Sequence, residues 1–293
     1  MSEKILQRIA EELNIKIGQV KSTVELLDEG NTIPFIARYR KEMTGSLDEE
    51  QIRNLSERLE YLRNLESRKE EVIRLIEEQD KLTDELEADI RSAEVLQEVE
   101  DLYRPYKPKR QTRATKAKEK GLEPLAMTMW EQELESGSLE ELAQDYIDPE
   151  QELETVEDVL QGARDIIAEM ISDDADNRKF IRQYTFDDGL IKTEAKTEEV
   201  TKFEMYYDYK ESIKNMPPHR VLAINRGENE DVLKVKVVAP EDTILRELRH
   251  KVIENEKSIF VEQLEEALED SYNRLIGPSI EREVRSTLTE EAE

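Results

Sequence analysis

The chain predicts a mostly α fold with a helix-turn-helix-like N-terminal unit, long helical hairpins and one small β-hairpin element. Three observations carry that expectation. Charged residues make up 39% of the chain against 37% hydrophobic, a balance suited to long amphipathic helices. Nine Gly and nine Pro in 293 residues leave little material for the turns of an all-β fold. Apolar residues recur at helical spacing along most of the sequence, with strict alternation confined to residues 232–238.

The elements follow in order. Residues 4–13 (Ile5, Leu6, Ile9, Leu13) and 17–29 (Val20, Val24, Leu27) read as two short amphipathic helices, the second stopped at Gly30 and Asn31. Thr32 then caps a third helix, 33–44, with Pro34 in its first turn, where a missing N–H costs nothing. Gly45 ends that helix, and Ser46-Leu47-Asp48-Glu49 fits a capping box. Ile52, Leu55, Leu59 and Leu62 begin the stripe of a long helix reaching Gln79, roughly 50 Å at 1.5 Å per residue. Glu49–Arg53 and Glu70–Arg74 support its wet face at i,i+4 spacing. Helices at 83–91 and 93–103 pack back on it.

Composition changes sharply at residues 104–120. Pro105 and Pro108 break the helix, and eight basic residues face one acid, Glu119. Further helices are expected at 116–131, 139–146, 156–171 and 175–184, and a short strand at 190–194. Pro217-Pro218 leads into a hairpin of 221–225 and 232–238 with Gly227 in the connection. Leu233, Val235 and Val237 point inward, and Lys234 and Lys236 outward. Helices at 243–253, 258–275 and 279–289 complete the order, broken at Gly277-Pro278. The expected domains are therefore 1–103, helical with the helix-turn-helix-like unit; 104–120, basic; 121–216, helical; 217–240, the β-hairpin; and 241–293, helical. In the last helix only Ile280, Val284 and Leu288 form a stripe.

Much chemistry is excluded by the residues themselves. Zero Cys rules out disulfides and thiol catalysis, and two His rule out a His-rich metal site. No phosphate-binding glycine loop and no nucleophile motif is present, so no catalytic residue, metal or cofactor is expected. Asp173, Asp174 and Asp176 resemble a calcium loop only superficially, because Lys179 stands where Gly is needed and Thr185 where Glu is. They fit a helix N-cap cluster better, and Asp187-Asp188-Gly189 fits a turn. His219-Arg220 fits a structural role at the hairpin, pairing locally, and His250 has no motif around it. The start, MSEKILQRIAEELNI, has no continuous apolar core, and no run approaches a membrane span. A soluble cytoplasmic chain is expected.

The helix-turn-helix-like unit is a poor candidate for reading bases. Recognition helices use their N-terminal residues for that purpose, and here those are Ile33, Pro34 and Phe35, which carry no hydrogen-bonding side chain. On a helical wheel Ile36, Tyr39 and Met43 share one side and Arg38 and Lys41 lie opposite. Arg40 falls near the apolar side, where a carboxylate or carbonyl partner is expected. A structural or protein-binding role suits the unit better.

Three stretches together resemble the N-terminal region of the Tex family of bacterial transcription accessory proteins. They are EGNTIPFIARYRKEMTGSLDEEQIRNL (29–55), LYRPYKPKRQTRATKAKEKGLEPLA (102–126) and PPHRVLAINRGENEDVLKV (217–235). They stand in the family's order, with Gln111 where the family often has Arg. The resemblance implies RNase H-like, helix-hairpin-helix and OB-fold RNA-binding domains beyond the matched region, so the chain reads as an N-terminal fragment. It also implies a scaffold, without enzymatic activity, acting with nucleic acid and the transcription machinery.

The nucleic-acid-binding candidates are Arg104, Lys107, Lys109, Arg110, Arg113, Lys116, Lys118 and Lys120, with Tyr106 able to stack on a base. Such irregular spacing suits phosphate contacts, to RNA or DNA, weak and without sequence preference. The net charge of −28 opposes a polyanion, so two other readings stay open. The segment neutralises an acidic face such as Glu131, Glu133 and Glu135, or it contacts another domain. In the rival reading of the whole chain, it is an acidic protein-interaction module and nucleic acid binds only in the missing domains.

Overall fold

The computed structural model describes residues 3–293, which divide into two compact units, the first ending at Tyr103 and the second beginning at Arg104. It is mostly α with one small β element. The first unit comprises α1 (Glu3–Glu12), α2 (Ile17–Asp28), α3 (Ile33–Tyr39), α4 (Glu49–Glu77), α5 (Asp84–Ser92) and α6 (Leu96–Tyr103). Its spine is α4, 29 residues long, whose stripe of Ile52, Leu55, Leu59, Leu62, Leu65, Val72, Ile73 and Ile76 is buried against the other five.

The cap of α4 lies two residues later than the sequence suggests. Asp48 accepts from the Gln51 amide at 2.8 Å, and Gln51 reaches back to the Asp48 N–H at 3.1 Å. Gly45 and Ser46 both take positive φ, so they form the turn and cannot open the helix. A Cβ on Gly45 would also stand 2.9 Å from the Gln19 side-chain nitrogen, which donates to the Thr44 and Gly45 carbonyls. Around the apolar stripe, α4 is clamped by charge. Arg58 grips Glu12 of α1 at 2.5 and 2.8 Å, and Arg63 holds Asp28 of α2 through two 2.8 Å bonds. Arg68 meets Glu100 of α6 at 2.6 Å, and Glu70 meets Arg91 of α5 at 2.6 Å.

The second unit is built on α10 (Val156–Asp173). Around it lie α7 (Arg113–Glu119), α8 (Glu123–Glu131), α9 (Leu139–Gln144), α11 (Ala175–Asp188) and α14 (Val261–Asp270). The expected helix at 116–131 is two helices, because Gly121 at φ +81° stops α7 and α8 starts afresh. A three-stranded antiparallel sheet is ordered β2-β1-β3, from β1 (Leu190–Ala195), β2 (Asp208–Ser212) and β3 (Leu233–Val238). Ile191 faces Val237 across the β1–β3 pair, and Thr193 faces Val235.

The predicted hairpin is corrected in one strand. Residues 221–225 lie in α12 (Pro218–Asn229), and β3 pairs with β1 instead. The prolines start a helix here, where Pro218 needs no N–H partner, and Val221, Ile224 and Gly227 form its buried face. The alternation in β3 holds, with Leu233 and Val235 buried and Lys234 and Lys236 exposed. After α13 (Glu241–Val252), the expected break at Gly277-Pro278 is absent. Instead α14 passes through a π turn, Ser271–Ile276, directly into α15 (Gly277–Ala292). The wide turn accommodates the proline ring against the preceding helix, and a Cβ on Gly277 would lie 2.9 Å from the Tyr272 carbonyl.

Two predictions follow from this packing. In urea unfolding, Val235→Asp costs about 3 kcal/mol or more, as an unpaired charge placed in the core. Lys234→Asp costs about 1 kcal/mol or less, for setting like charge opposite Glu194 on the exposed face. The second prediction concerns Glu12, whose hydrogen bonds from Arg58, and then Arg8, hold its pKa at about 2 against the opposing effect of burial. A carboxylate with a lowered pKa stabilises the fold above its ordinary value of 4.5 and loses that contribution as pH falls toward 2. Thermal melts of Glu12→Gln should therefore trail the parent by about 0.5–1 kcal/mol at pH 7, discounted for solvent screening, and converge with it near pH 2.

Candidate nucleic-acid interface

The basic segment is shaped by small residues before charge acts. Thr112 caps α7, its Oγ1 accepting from the Thr115 amide at 3.0 Å. Ala114 and Ala117 then lie buried, and Gly162 of α10 completes the close approach. A Cβ at Gly162 would meet the Leu122 side chain at 2.3 Å and Ala117 Cβ at 3.5 Å. This contact sets the segment across one face of α10.

That face carries Asp165, Glu169 and Asp173 at i, i+4 and i+8, an acidic stripe on a helix otherwise buried among apolar side chains. Lys109 Nζ donates to Asp173 and lies 3.2 Å from Glu169, with its side chain three-quarters buried. Arg104 Nε donates to Asp173 at 3.2 Å. Arg274 approaches Asp165 at 3.5 Å, and Arg113 also attracts that carboxylate. Burial nevertheless wins at both ends of the stripe. It pushes the carboxyls of Asp173 and Asp165 above the ordinary aspartate value, against the pull of Lys109 on the first and of Arg274 and Arg113 on the second.

The eight cations thus divide. Arg104 and Lys109 are bound to the stripe, Lys118 pairs with Glu123 at 2.9 Å, and Lys120 pairs with Glu152 at 3.1 Å. Their partners are not Glu131, Glu133 or Glu135, the acids suggested by nearness in sequence. Lys107, Arg110, Arg113 and Lys116 are exposed, and Tyr106 is half-buried. Arg110 and Lys116 make no ion pair among the described residues.

Other singled-out residues fall elsewhere. Asp174 caps α11, accepting from the Asn177 amide at 2.7 Å, whereas Asp173 is a counter-ion and caps nothing. Asp187 and Asp188 end α11, with Gly189 as its C-cap. His219 and Arg220 lie in the first turn of α12 and not at a strand. Arg220 pairs with Glu211 of β2 and donates to Tyr209 Oη at 3.0 Å. Arg40 has no carboxylate partner among the described residues. It is exposed, with its guanidinium 5.4 Å from the centre of the Phe35 ring. A polar groove of about 620 Å³ between α12 and α15, lined by Asn225, Arg226, Arg282, Arg285 and Ser286, was not foreseen. Its only sequence signal is the pair of arginines three apart on α15. No group of three or more His, Cys, Asp or Glu able to hold a metal occurs among the described residues. No helix among them is long and apolar enough to cross a membrane.

Residues 3–77 match the family described as Tex-like protein N-terminal domain, and residues 135–293 match that described as Tex central region-like. The protein named uncharacterized protein YdcI of Bacillus subtilis (strain 168) is 52% identical over 299 residues, covering 100% of this chain and 41% of that protein. Transcriptional accessory protein Tex of Neisseria gonorrhoeae is 43% identical over 243 residues, 82% of this chain and 32% of its own length. S1 RNA-binding domain-containing protein 1 of Homo sapiens is 33% identical over 311 residues, 100% of this chain and 31% of its own. The chain therefore spans 31–41% of the length of these relatives.

The stripe makes a signed prediction. A buried aspartate with a raised pKa weakens the fold as pH rises above 3.8, since the folded state holds the proton more tightly. Lys109 opposes that effect at Asp173. Lys109→Ala should therefore destabilise by about 1–3 kcal/mol at pH 7 and by clearly less at pH 4. Arg110→Ala should stay within about 0.5 kcal/mol at both, as a surface change. Denaturant titrations at the two pH values measure the contrast.

Proposed function

The chain belongs to the Tex family, and from that premise we propose that it is a helical scaffold of a transcription accessory factor that acts with nucleic acid and the transcription machinery. It works in the cytoplasm, without enzymatic activity, cofactor or metal. Its own contact with nucleic acid is made by the basic segment, to phosphates of RNA or DNA, without reading sequence. A relative named for an S1 RNA-binding domain supports a role with RNA.

One observation carries this reading. Part of the segment's charge anchors it on the acidic stripe of α10, while Arg110, Arg113 and Lys116 are left exposed on the anchored backbone. Three phosphate contacts give a log–log salt slope of about −2.7 on duplex DNA, at roughly −0.9 per contact. The affinity falls in the non-specific range, about 10⁻⁴–10⁻⁶ M, because the chain's net charge of −28 opposes binding.

The ion pairs of Arg104, Lys109, Lys118 and Lys120 favour a second reading, in which the segment only neutralises acids and the chain is an acidic protein-interaction module. Fluorescence anisotropy with labelled RNA and DNA across a salt series separates the two. Reversing Arg110, Arg113 and Lys116 to Glu should flatten the slope by about 2.7, with the melting temperature little changed. If the parent chain shows no salt-dependent binding, the second reading stands; if binding survives the reversal unaltered, the contact lies elsewhere on the chain and the basic segment is not the site.

A further inference from the structure

The first unit treats its arginines alike with two exceptions. Arg8, Arg53, Arg58, Arg63, Arg68, Arg74 and Arg91 each sit in an ion pair. Arg38 and Arg40 make none among the described residues, and neither does Lys41 beside them. Acids outnumber bases 71 to 43 along the chain, an unpaired arginine is the exception in this unit, and both exceptions lie with Lys41 within four residues. In the same stretch of chain the fold leaves large apolar side chains outside. Tyr39 is 66% exposed, Met43 51% and Phe35 37%, although Ile36 and Ala37 of the same helix are buried against α4.

The patch is ordered. The rings of Phe35 and Tyr39 lie 5.3 Å apart, and Arg40 lies over Phe35. Met43 follows on a turn that keeps near-helical spacing, its amide bonding the Arg40 carbonyl at 3.0 Å. Tyr, Phe, Met and Arg are the residues enriched at protein interfaces, where aromatics and a soft thioether provide contact area and Arg provides pairing. We infer that Phe35, Tyr39 and Met43, with Arg40 over Phe35 and the exposed Arg38 and Lys41 in the same short stretch, dock a segment of a partner protein that carries acidic residues around large apolar anchors.

Charge selects that partner. The three cations ask for carboxylates, and the apolar patch asks for a side chain such as Phe or Leu. A polyanion satisfies the cations but not Met43, and the acidic chain repels it more strongly than a short peptide. Arg40 already occupies one face of Phe35, which lessens its use as a platform for bases. The surface is independent of the basic segment, and either assignment can fail alone.

The test pans the full chain against a phage-displayed random-peptide library, with Tyr39→Ala/Met43→Ala as the counter-selection. Enriched peptides should be acidic around an aromatic or aliphatic anchor. A synthetic copy of the winner should bind at least about tenfold more weakly to Tyr39→Ala and to Arg38→Glu/Lys41→Glu. Binding should also weaken with salt. These side chains are exposed, so the variants should melt with the parent, and Arg38→Ala serves if one does not. Enrichment without acidic character overturns the inference, as does a winner indifferent to both variants. So does binding of labelled oligouridine that Tyr39→Ala abolishes, which would make the patch a nucleic-acid site.

Discussion

Burial of α10 on nearly every side is the constraint on which the second unit depends. Val159, Leu160, Ala163, Ile166, Ile167, Ala168 and Ile171 form its apolar surface, yet Arg164, Asp165, Ser172 and Asp173 are buried with them. A charge taken out of water must find partners of good geometry, or it unfolds what surrounds it. Arg164 meets Gln263 at 2.6 Å and Glu266 at 2.8 Å, which fixes α14, and it also pairs with Glu157. Asp173 fixes the basic segment. The same logic recurs at α15, where burial raises the pKa of Glu283 but Arg178 and Arg182 overcome it, so the carboxyl stays below its ordinary value. Each buried ion specifies which neighbour must lie where, and the apolar contacts then fill the remaining surface.

The first unit solves a different problem with the same materials. Its spine has one buried stripe, so its charges lie at the edge of the core and partly in water. Exposed pairs of this kind are worth about 0.2–1 kcal/mol each. Their value lies in pairing α4 with α1, α2, α5 and α6 in turn, which discriminates among ways of packing similar apolar stripes. Like Asp101 of α6, Lys69 is buried deep. Its ammonium is satisfied by Glu66 at 2.8 Å and the Arg91 carbonyl at 3.0 Å, and its stem is buried. By contrast α3 is held to α4 by burial of Ile36 and Ala37, with no ion pair to it among the described residues.

What the sequence made legible follows from what is local. The stop at Gly30, the periodic stripe of α4 and the alternation of β3 are each written within a few residues, and the structure reproduces them, whereas the helix expected to run to Gly45 already ends at Tyr39, its Arg40 cap leaving 41–45 as a turn. Val221–Asn225 misled because a short apolar run after prolines fits a strand as well as a helix, and only the buried face of Val221, Ile224 and Gly227 decides. Strand β2, DYKES, carries no apolar alternation, since it is defined by pairing with β1 across the connection 196–207, which carries no tight-turn signal. The basic segment could be located from composition alone. Its partners could not, because Glu169 and Asp173 are about sixty residues distant and become neighbours only once α7 packs on α10.

That long-range pairing bears on how a chain of net charge −28 could meet a phosphate at all. Charges beyond about 8 Å are largely screened at physiological salt, so the field near Arg110 and Lys116 is set by their neighbours and not by the total. On α10 the carboxylates of Asp173 and Glu169 are already partnered by Lys109 and Arg104, and that of Asp165 by Arg274. Anchoring and unmasking are then one arrangement: cations that turn inward remove the local negative field, and cations that turn outward act in what remains. A change that freed Lys109 from Asp173 would add a cation to the surface but expose a carboxylate beside it. Under the proposed function, the segment's capacity to attract an anion would rest on the integrity of the stripe beneath it as much as on the number of its own basic residues.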